Sequence, residues 1–223
     1  MKDIQVITRA IYSEESPEER RTGSAFGGGG WALTPHRLHL MEKNWLSSLK
    51  NQVDKDFSIH LLVGPVRKPF EDLPWGSLDV HFHKVGDEKL RTWLNKHWVP
   101  SRVQARLDTD DRVSPGWIAH MRHYLATYKS KAFLIHYEPL IEGPDGLLSY
   151  HPMYHGKNRK KTSCFLSMVD RKPSRGRHPY MDVHTRMKNH VAGDVVRVGP
   201  GYTFLSVHGE NKSSGRHSRE NLV

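Results

Sequence analysis

Apolar residues recur along this chain with two different spacings, which together predict strands alternating with helices. Short apolar runs are typical of buried strands, and they occupy residues 4–7, 57–63, 102–107, 132–137 and 164–169. Residues 78–85 instead alternate apolar and polar, as in a half-buried strand, so His81 and His83 share one face. Strands that alternate with helices in this way favour an α/β domain.

Helical spacing is clearest in two segments. Thr34 and Pro35 suit the N-cap and the first helical position, and the apolar stripe after them comprises Leu38, Met41, Trp45, Leu49 and Val53. Ser114 and Pro115 open a second predicted helix, whose stripe comprises Trp117, Ile118, Met121, Tyr124, Leu125 and Tyr128. Both stripes are expected to face the core.

Three carboxylates follow the predicted strand at 102–107, and the chemistry of the chain is expected there. Asp108, Asp110 and Asp111 lie between that strand and the helix after Pro115. Open α/β sheets bind ligands at the carboxyl ends of their strands, and carboxylate oxygens suit Mg²⁺ or Mn²⁺ rather than zinc. The alternative interpretation is an acidic loop that caps a helix start.

Two further strand ends carry candidate ligand-binding residues. The first strand is followed by Arg9 and Tyr12, which could pair with a phosphate and stack on a base, or could be ordinary loop residues. Residues 195–207 predict two short strands bent at residues 199–201, and the second of them leads to His208. Four consecutive glycines, Gly27–Gly30, predict a long loop without an assigned contact.

Composition bounds the class of protein. The 223 residues fit one domain, expected to comprise a nucleotide-binding half (1–111), an acceptor half (112–208) and a polar tail (209–223). The single Cys164 excludes an internal disulfide, and the start of the chain has no long apolar signal region, so we expect a cytoplasmic protein.

The chain is strongly basic. Thirty-four Lys and Arg against 24 Asp and Glu give a net charge of +10, which suits nucleic acid, an anionic membrane or a phosphate-bearing substrate. Two predicted loops, 155–161 and 171–179, concentrate positive charge.

Two segments carry a family resemblance. The acidic segment, Arg106-Leu107-Asp108-Thr109-Asp110-Asp111, resembles the R-L-D-x-D-D segment of the rhamnosyltransferase family, whose DXD motif follows a strand. Residues 206–211, reading SVHGEN, resemble the strand-His-Gly-x-Asn ending of the same group, and Ile7-Thr8-Arg9 resembles its first strand. The resemblance implies a GT-A-like nucleotide-diphospho-sugar transferase fold, an α/β fold with a mixed, mostly parallel central sheet flanked by helices.

The resemblance also implies a site and a reaction. It implies that the chain is a glycosyltransferase that moves a sugar from a nucleotide-diphosphate sugar to an acceptor hydroxyl with Mn²⁺ or Mg²⁺. The implied metal ligands are Asp108, Asp110 and His208. The implied nucleotide-sugar-binding residues are Thr8, Arg9, Tyr12, Arg106, Asp108, Asp111 and Lys212.

An inverting transferase needs a general base that takes the proton of the acceptor hydroxyl. Family position favours Asp182, with His184 and Asp170 as competitors, although Asp182 also reads as an ordinary helix-start residue. The Gly-rich segment and the two basic loops depart from the family pattern, which leaves the acceptor open between a glycan or protein hydroxyl and modified DNA.

Three rival functions remain at this level. The same sugar transfer could act on hydroxylated bases of phage DNA, with the basic loops and the flanking Tyr154 and Tyr180 following the phosphates. A Mg²⁺-dependent nuclease or phosphoesterase could use Asp108, Asp110 and His208 in a two-metal site. A non-enzymatic nucleic-acid binder would have no use for the acidic cluster.

Overall fold

The computed structural model describes residues 2–10, 33–85, 89–143, 146–150, 165–181, 187 and 194–206. Eleven strands lie in this part of the chain, and in order they are β1 (Ile4–Ala10), β2 (Ser58–Val63), β3 (Asp79–Lys84), β4 (Val103–Arg106), β5 (Arg112–Val113), β6 (Ala132–Tyr137), β7 (Leu140–Glu142), β8 (Leu148–Tyr150), β9 (Leu166–Asp170), β10 (Val195–Val198) and β11 (Thr203–Ser206). The helices are α1 (Pro35–Leu40), a π-helical segment (Met41–Leu46), α2 (Ser47–Lys50), α3 (Lys68–Glu71), α4 (Leu90–His97) and α5 (Trp117–Thr127).

Seven strands form a central sheet in the order β10-β6-β9-β4-β1-β2-β3. Strand β9 is antiparallel to both of its neighbours, while the other adjacent pairs are parallel. The six parallel strands therefore end at one edge, here called the carboxyl edge, and begin at the opposite one, the amino edge. This mixed, mostly parallel sheet with helices on its faces confirms the predicted fold class.

A second sheet of four strands has the order β5-β11-β7-β8. Strands β5, β7 and β11 come shortly after β4, β6 and β10 in the chain, so this sheet extends from the carboxyl edge. Arg112 of β5 holds Glu142 of β7 by two hydrogen bonds of 2.6 and 3.0 Å. The carboxyl edge is thus built from two sheets rather than from loops alone.

The first helical region begins as predicted. The hydroxyl of Thr34 accepts a hydrogen bond from the backbone N–H of Arg37 at 3.1 Å, and Pro35 is the first helical residue. The predicted stripe is wrong at Val53, which is 71% exposed. The helix ends at Lys50, and the backbone N–H of Val53 donates instead to the carbonyl of Pro115 at 2.9 Å.

Helix α5 begins at Trp117, with Gly116 as N-cap, so the prediction that Ser114 and Pro115 open it is wrong by two residues. Gln52 explains the difference. Its side-chain carbonyl accepts from the N–H of Ile118 at 3.0 Å, and its amide donates to the carbonyl of Ser114 at 2.7 Å. A residue distant in sequence thus satisfies one of the free N–H groups at the helix start.

The two faces of the central sheet differ in polarity. One face packs against α1, α2 and α5 through apolar residues such as Val6, Ile59, Ala105 and Ile135. The alternate residues of the same strands face the other way, and they include Gln5, His60, His81, His83, Gln104 and Arg106. Helix α4 covers part of this second face, with Leu90, Leu94 and Trp98 against Ile7 and Leu62.

A histidine cluster lies on this second face. His60 is 8% exposed and is hydrogen-bonded through one ring nitrogen to Ser58 at 2.9 Å and through the other to His83 at 2.8 Å. Burial and the neighbouring His83 and His81 lower the pKa of His60 from 6.5 to about 3. The folded state therefore keeps His60 neutral.

This cluster predicts a loss of stability in mild acid. The folded-state pKa of His60 lies below the unfolded value of 6.5, so its contribution is complete above pH 6.5 and is lost as pH falls toward 3. At pH 5 the loss is expected to be about 2 kcal/mol, from 1.36 kcal/mol per pH unit. Urea unfolding at pH 7 and pH 5 measures it. His60→Gln should reduce the difference, whereas His39→Gln, at an exposed position of α1, should not.

Within the described residues, no helix is both long enough and apolar enough to cross a membrane.

Candidate functional site

The acidic segment forms a turn at the carboxyl edge of the central sheet. Strand β4 ends at Arg106, and the N–H of Leu107 donates to the carbonyl of Ile7 in β1 at 3.2 Å. The N–H of Asp111 then donates to the carbonyl of Asp108 at 3.3 Å, which closes the turn. Asp108 and Asp110 are half-buried on this turn, and Asp111 is buried.

The π-helical segment supports this turn from the apolar side of the sheet. The side-chain amide of Asn44 donates to the carbonyl of Asp110 at 3.4 Å. The indole N–H of the next residue, Trp45, donates to the hydroxyl of Thr8 at 3.1 Å. Two adjacent residues therefore join the acidic turn and the end of β1 to the same helical element.

Arg106 lies between an acid and an aromatic ring. Its Nη2 atom is 3.4 and 3.5 Å from the two carboxylate oxygens of Asp108, and its guanidinium is 4.8 Å from the ring centroid of Tyr180. The Tyr180 hydroxyl donates to the carbonyl of Ile7 at 3.3 Å. Tyr180 thus connects the segment after β9 with the ends of β1 and β4.

Arg9 is also close enough to Tyr180 for its charge to affect the pKa of the phenol. Burial raises the pKa of Tyr180 to about 12, partly opposed by the positive charges of Arg106 and Arg9 and assisted by the negative charge of Asp108. The phenol stays protonated at neutral pH and keeps its donor role. Arg9 is exposed at the end of β1, so the carboxyl edge combines two guanidinium groups with the acidic turn.

The structure brings together five predicted site residues and places another in the core. Arg9, Arg106 and Asp108 all act on Tyr180 at the carboxyl edge, and Asp110 and Asp111 belong to the same turn as Asp108. The Thr8 side chain is fully buried, with its hydroxyl facing Trp45. The remaining predictions, Tyr12, Asp182, His208 and Lys212, lie outside the described residues, as do Cys164, His184 and Gly27–Gly30.

Asp170, a competitor for the general base, lies at the amino edge. It ends β9, its N–H donates to the carbonyl of Arg102 just before β4, and its carboxylate is 3.2 Å from Arg177. Because Arg102 and Arg106 lie at opposite ends of β4, Asp170 is separated from the acidic turn by the length of that strand. This placement is inconsistent with a role for Asp170 at the acidic turn.

Strand β11 is directed toward the acidic turn. It is antiparallel to β5, with Thr203 opposite Val113 and Phe204 opposite Arg112. As β11 continues forward, the opposing chain therefore runs back from Arg112 toward Asp111 and Asp110. The last described residue of β11, Ser206, precedes His208 by two positions.

The donor chemistry of the turn fits a hard divalent cation. Asp108 and Asp110 offer carboxylate oxygens on one solvent-accessible turn, which are the ligands that Mg²⁺ and Mn²⁺ prefer. Within the described ranges, no group of three His, Cys, Asp or Glu residues is arranged to hold a metal ion. A complete metal site would therefore need water, substrate oxygens or a ligand from outside those ranges.

Sequence reasoning missed the contributions of Tyr180 and Asn44. Tyr180 reaches Arg106 after the chain has crossed the sheet from Asp170, a path that no local pattern predicts. Asn44 lies on the polar side of an apolar helical stripe, where an exposed position is the usual interpretation. The contact of each residue depends on tertiary structure.

The strand order and the position of the acidic turn define the class of fold, a GT-A-like α/β fold. Solved structures of Staphylococcus aureus TarS share it. TarS 1–349 in complex with UDP-GlcNAc aligns with a TM-score of 0.55 and 11% identity, over 96% of this chain and 61% of that one. The UDP complex aligns with a TM-score of 0.51 and 12% identity, over 93% and 61%.

Sequence comparison adds no relative to this structural likeness. No family model matches the chain, and no curated protein matches it. The chain spans 61% of the length of the TarS fragment, and at 11% identity the likeness shows the fold alone.

Proposed function

We propose that this chain is a metal-dependent glycosyltransferase that moves a sugar from a nucleotide-diphosphate donor to an acceptor hydroxyl. One observation carries the proposal: a turn with Asp108 and Asp110 lies beside Arg106 and Arg9 at the carboxyl edge of the sheet. Ligands bind at this edge in open α/β sheets. The proposal is supported by the fold shared with TarS, which has been crystallised with UDP-GlcNAc and with UDP.

The combination of charges favours group transfer over simple binding. When a sugar leaves a nucleotide diphosphate, negative charge develops on the diphosphate and must be stabilised. A divalent cation held by Asp110 and Asp108 would supply Lewis-acid stabilisation of that charge. Arg106 and Arg9 would add fixed positive charge without any change in protonation.

Tyr180 and Asp108 fix the position of Arg106. The guanidinium packs over the Tyr180 ring while one of its nitrogens faces the Asp108 carboxylate. With the arginine side chain only 13% exposed, few alternative rotamers remain open to it. The cation is therefore preorganised for a phosphate group, as electrostatic catalysis requires.

Four residues outside the described ranges complete the proposal. His208 is the proposed further metal ligand, supported by the direction of β11 toward the acidic turn. Asp182 is the proposed general base, supported by its position two residues after Tyr180, which packs on Arg106. Lys212 and Tyr12 remain proposed contacts of the nucleotide sugar. Asp111 is proposed to orient the other two carboxylates.

Residues 1–111 are proposed as the nucleotide-binding half, residues 112–208 as the acceptor half and residues 209–223 as a polar tail. The acceptor remains either a glycan or protein hydroxyl or a hydroxylated base in DNA. Sugar transfer to hydroxymethylated duplex DNA, compared with transfer to neutral oligosaccharides, distinguishes them. A strong decrease with salt would favour DNA.

Donor binding is the first test. Among UDP-, dTDP- and GDP-sugars, at least one is expected to raise the melting temperature in the presence of Mn²⁺ and to have a smaller effect with EDTA. The reason is that a ligand bound only by the folded state stabilises it by RT ln(1 + [L]/Kd), about 2.7 kcal/mol at a hundredfold excess over Kd. If none of the donors stabilises the protein with either Mn²⁺ or Mg²⁺, the proposed function is wrong.

A further inference from the structure

A second charged surface lies away from the acidic turn, and it is here called the basic strip. Its nine cations are Arg91, Lys96, Arg102, Lys129, Lys131, Arg171, Lys172, Arg175 and Arg177. The elements that carry most of them contain no acid: α4 reads LRTWLNKH, and the loop at 171–177 reads RKPSRGR.

Contacts within the structure make the strip continuous. The N–H of Arg171 donates to the carbonyl of Lys131 at 2.9 Å, and the N–H of Asp170 donates to the carbonyl of Arg102 at 2.8 Å. Farther along the loop, the ring of His178 is hydrogen-bonded to Asn95 of α4 at 3.1 Å. The strip therefore runs from the amino edge of the sheet, along the loop and onto α4.

Two arginines hold the loop in place, and other cations of the strip are exposed. Arg171 donates to the carbonyls of Leu125 and Tyr128, both at 2.6 Å, and so closes the end of α5. Arg177 pairs with Asp170 at 3.2 Å. Between these anchors Lys172 and Arg175 are exposed, as are Lys129, Lys131 and Lys96 on the adjoining elements.

Acids neutralise this surface only in part. Asp170 is engaged by Arg177, and Asp3 is 3.6 Å from Arg102. Asp194 accepts hydrogen bonds from Tyr128 and Ser130, just after the C-terminal end of α5. Among the described residues, the acids paired with the strip or its flanking residues, Asp3, Asp170 and Asp194, are fewer than its nine cations, and an excess of positive charge attracts a polyanion.

We propose that the basic strip binds the phosphate backbone of duplex DNA without sequence preference. Lysine and arginine on loops and on a helix are the residues that make such contacts. The strip presents its cations on fixed elements, so several phosphates can be neutralised together. Affinity and salt dependence then come from counterion release.

The uncharged neighbours of the strip argue for a duplex over a membrane or a single strand. Membrane-bound surfaces add large apolar side chains to the cations. Of the exposed large apolar residues in the described ranges, Val53, Val99, Leu147 and Leu148, only Val99 lies between two strip cations in sequence. Single strands are bound by exposed aromatic platforms, whereas the aromatic rings beside the strip are buried, as Trp98 and Tyr180 are, or half-buried, as Trp93 and Tyr128 are.

The strip and the proposed donor site lie at different places on the sheet, although one segment of the chain runs from the strip to the donor site. The loop with Lys172 and Arg175 follows Asp170 at the amino edge, and the chain reaches Arg106 only at Tyr180. DNA bound here would contact the amino edge and α4. This inference does not rest on sugar transfer, because binding needs neither donor nor metal.

Fluorescence anisotropy with a labelled duplex of about 20 base pairs, in EDTA and without donor, tests the inference. The logarithm of the binding constant is expected to fall linearly with the logarithm of the salt concentration, with a slope of about −0.9 for each phosphate that the protein contacts. The triple variant Lys131→Ala, Lys172→Ala, Arg175→Ala should bind at least about tenfold more weakly at about 0.1 M salt. The number of phosphate contacts calculated from its slope should be lower by about two to three.

A matched variant keeps the net charge equal. Lys43→Ala, Lys68→Ala, Lys84→Ala removes three exposed lysines from other elements and should bind nearly as tightly as the unmodified chain. Equal loss in both triple variants would show a diffuse charge effect and overturn the assignment. The inference is also wrong if the duplex does not bind at low salt, or if phosphatidylserine vesicles or a single strand of equal length bind more tightly.

Discussion

Asp110→Ala is expected to lower the Mn²⁺-dependent affinity for the nucleotide sugar by at least about a hundredfold. Loss of a residue that only supports a metal ligand typically costs 10–100-fold in metal affinity or activity, so removing a proposed direct ligand should cost no less. Asp110 shares its turn with Asp108, and the turn is closed by the hydrogen bond from Asp111 to Asp108. Calorimetric titration of the donor with Mn²⁺ and with EDTA measures the change.

In this experiment, the effects of misfolding and of the lost negative charge must be distinguished from the loss of metal binding. Asp72→Ala is the charge-matched control, because Asp72 is exposed on another element and pairs with Lys68. The control should bind the donor like the unmodified chain. The metal-free melting temperature of Asp110→Ala should stay close to that of the control. Unchanged donor affinity in a folded Asp110→Ala protein would refute the metal assignment.

His208→Ala should act in the same direction if β11 delivers a ligand to the acidic turn. An additive loss in the double variant with Asp110→Ala would argue against a shared ion. A loss in the double variant no larger than in either single variant would indicate one site, because groups that act as a unit are strongly non-additive.

Most strands and helices of the central sheet are predictable from the sequence because their patterns are local. The runs that became β1, β2, β4 and β6 are short, rich in apolar residues and largely buried, with single polar residues such as Gln5, His60 and Gln104 on the second face. Strand β3 alternates because its second face lies at the histidine cluster. Such signals need no knowledge of which strand is the neighbour.

Strand pairing is less predictable. Nothing local indicates that β9 inserts antiparallel between β4 and β6, or that the two residues of β5 pair with β11. The hydrogen bond from the N–H of Ser114 to the carbonyl of Tyr202 joins positions far apart in the chain. A long-range contact, from the side chain of Gln52, likewise accounts for the error at the start of α5.

The residues of the candidate site could be predicted where they are charged and lie at the end of a strand. They could not be predicted where a residue from a distant segment of the chain contacts them. Arg106 ends a strand and Asp108 and Asp110 come just after it, so position alone places them at the carboxyl edge. Tyr180 approaches from a segment that has crossed the sheet, and its role depends on packing against Arg106. The histidine pair His81 and His83 was correctly placed on one face, but its partner His60 comes from β2.

Trp45→Ala is expected to lower the free energy of unfolding by about 3–5 kcal/mol, the usual cost of removing a buried large aromatic side chain. Trp45 is fully buried, and its ring makes an edge contact with Trp75 at 5.8 Å between centroids. It also joins the π-helical segment to β1 through the Thr8 hydroxyl. Urea unfolding followed by circular dichroism measures the loss.

A double-mutant cycle separates packing from the hydrogen bond in this pair. Trp45→Phe keeps an aromatic ring but removes the indole N–H, whereas Thr8→Val removes the acceptor and leaves that N–H buried without it. Each single variant should lose about 1–3 kcal/mol, the cost of an unsatisfied buried polar group. The free energy of unfolding lost in the double variant should be clearly less than the sum of the two single losses, because neither polar group of the pair is then left without its hydrogen-bond partner. Strict additivity would show that Trp45 stabilises the end of β1 by packing alone, and the hydrogen bond would then have no part in holding Arg9 beside the acidic turn.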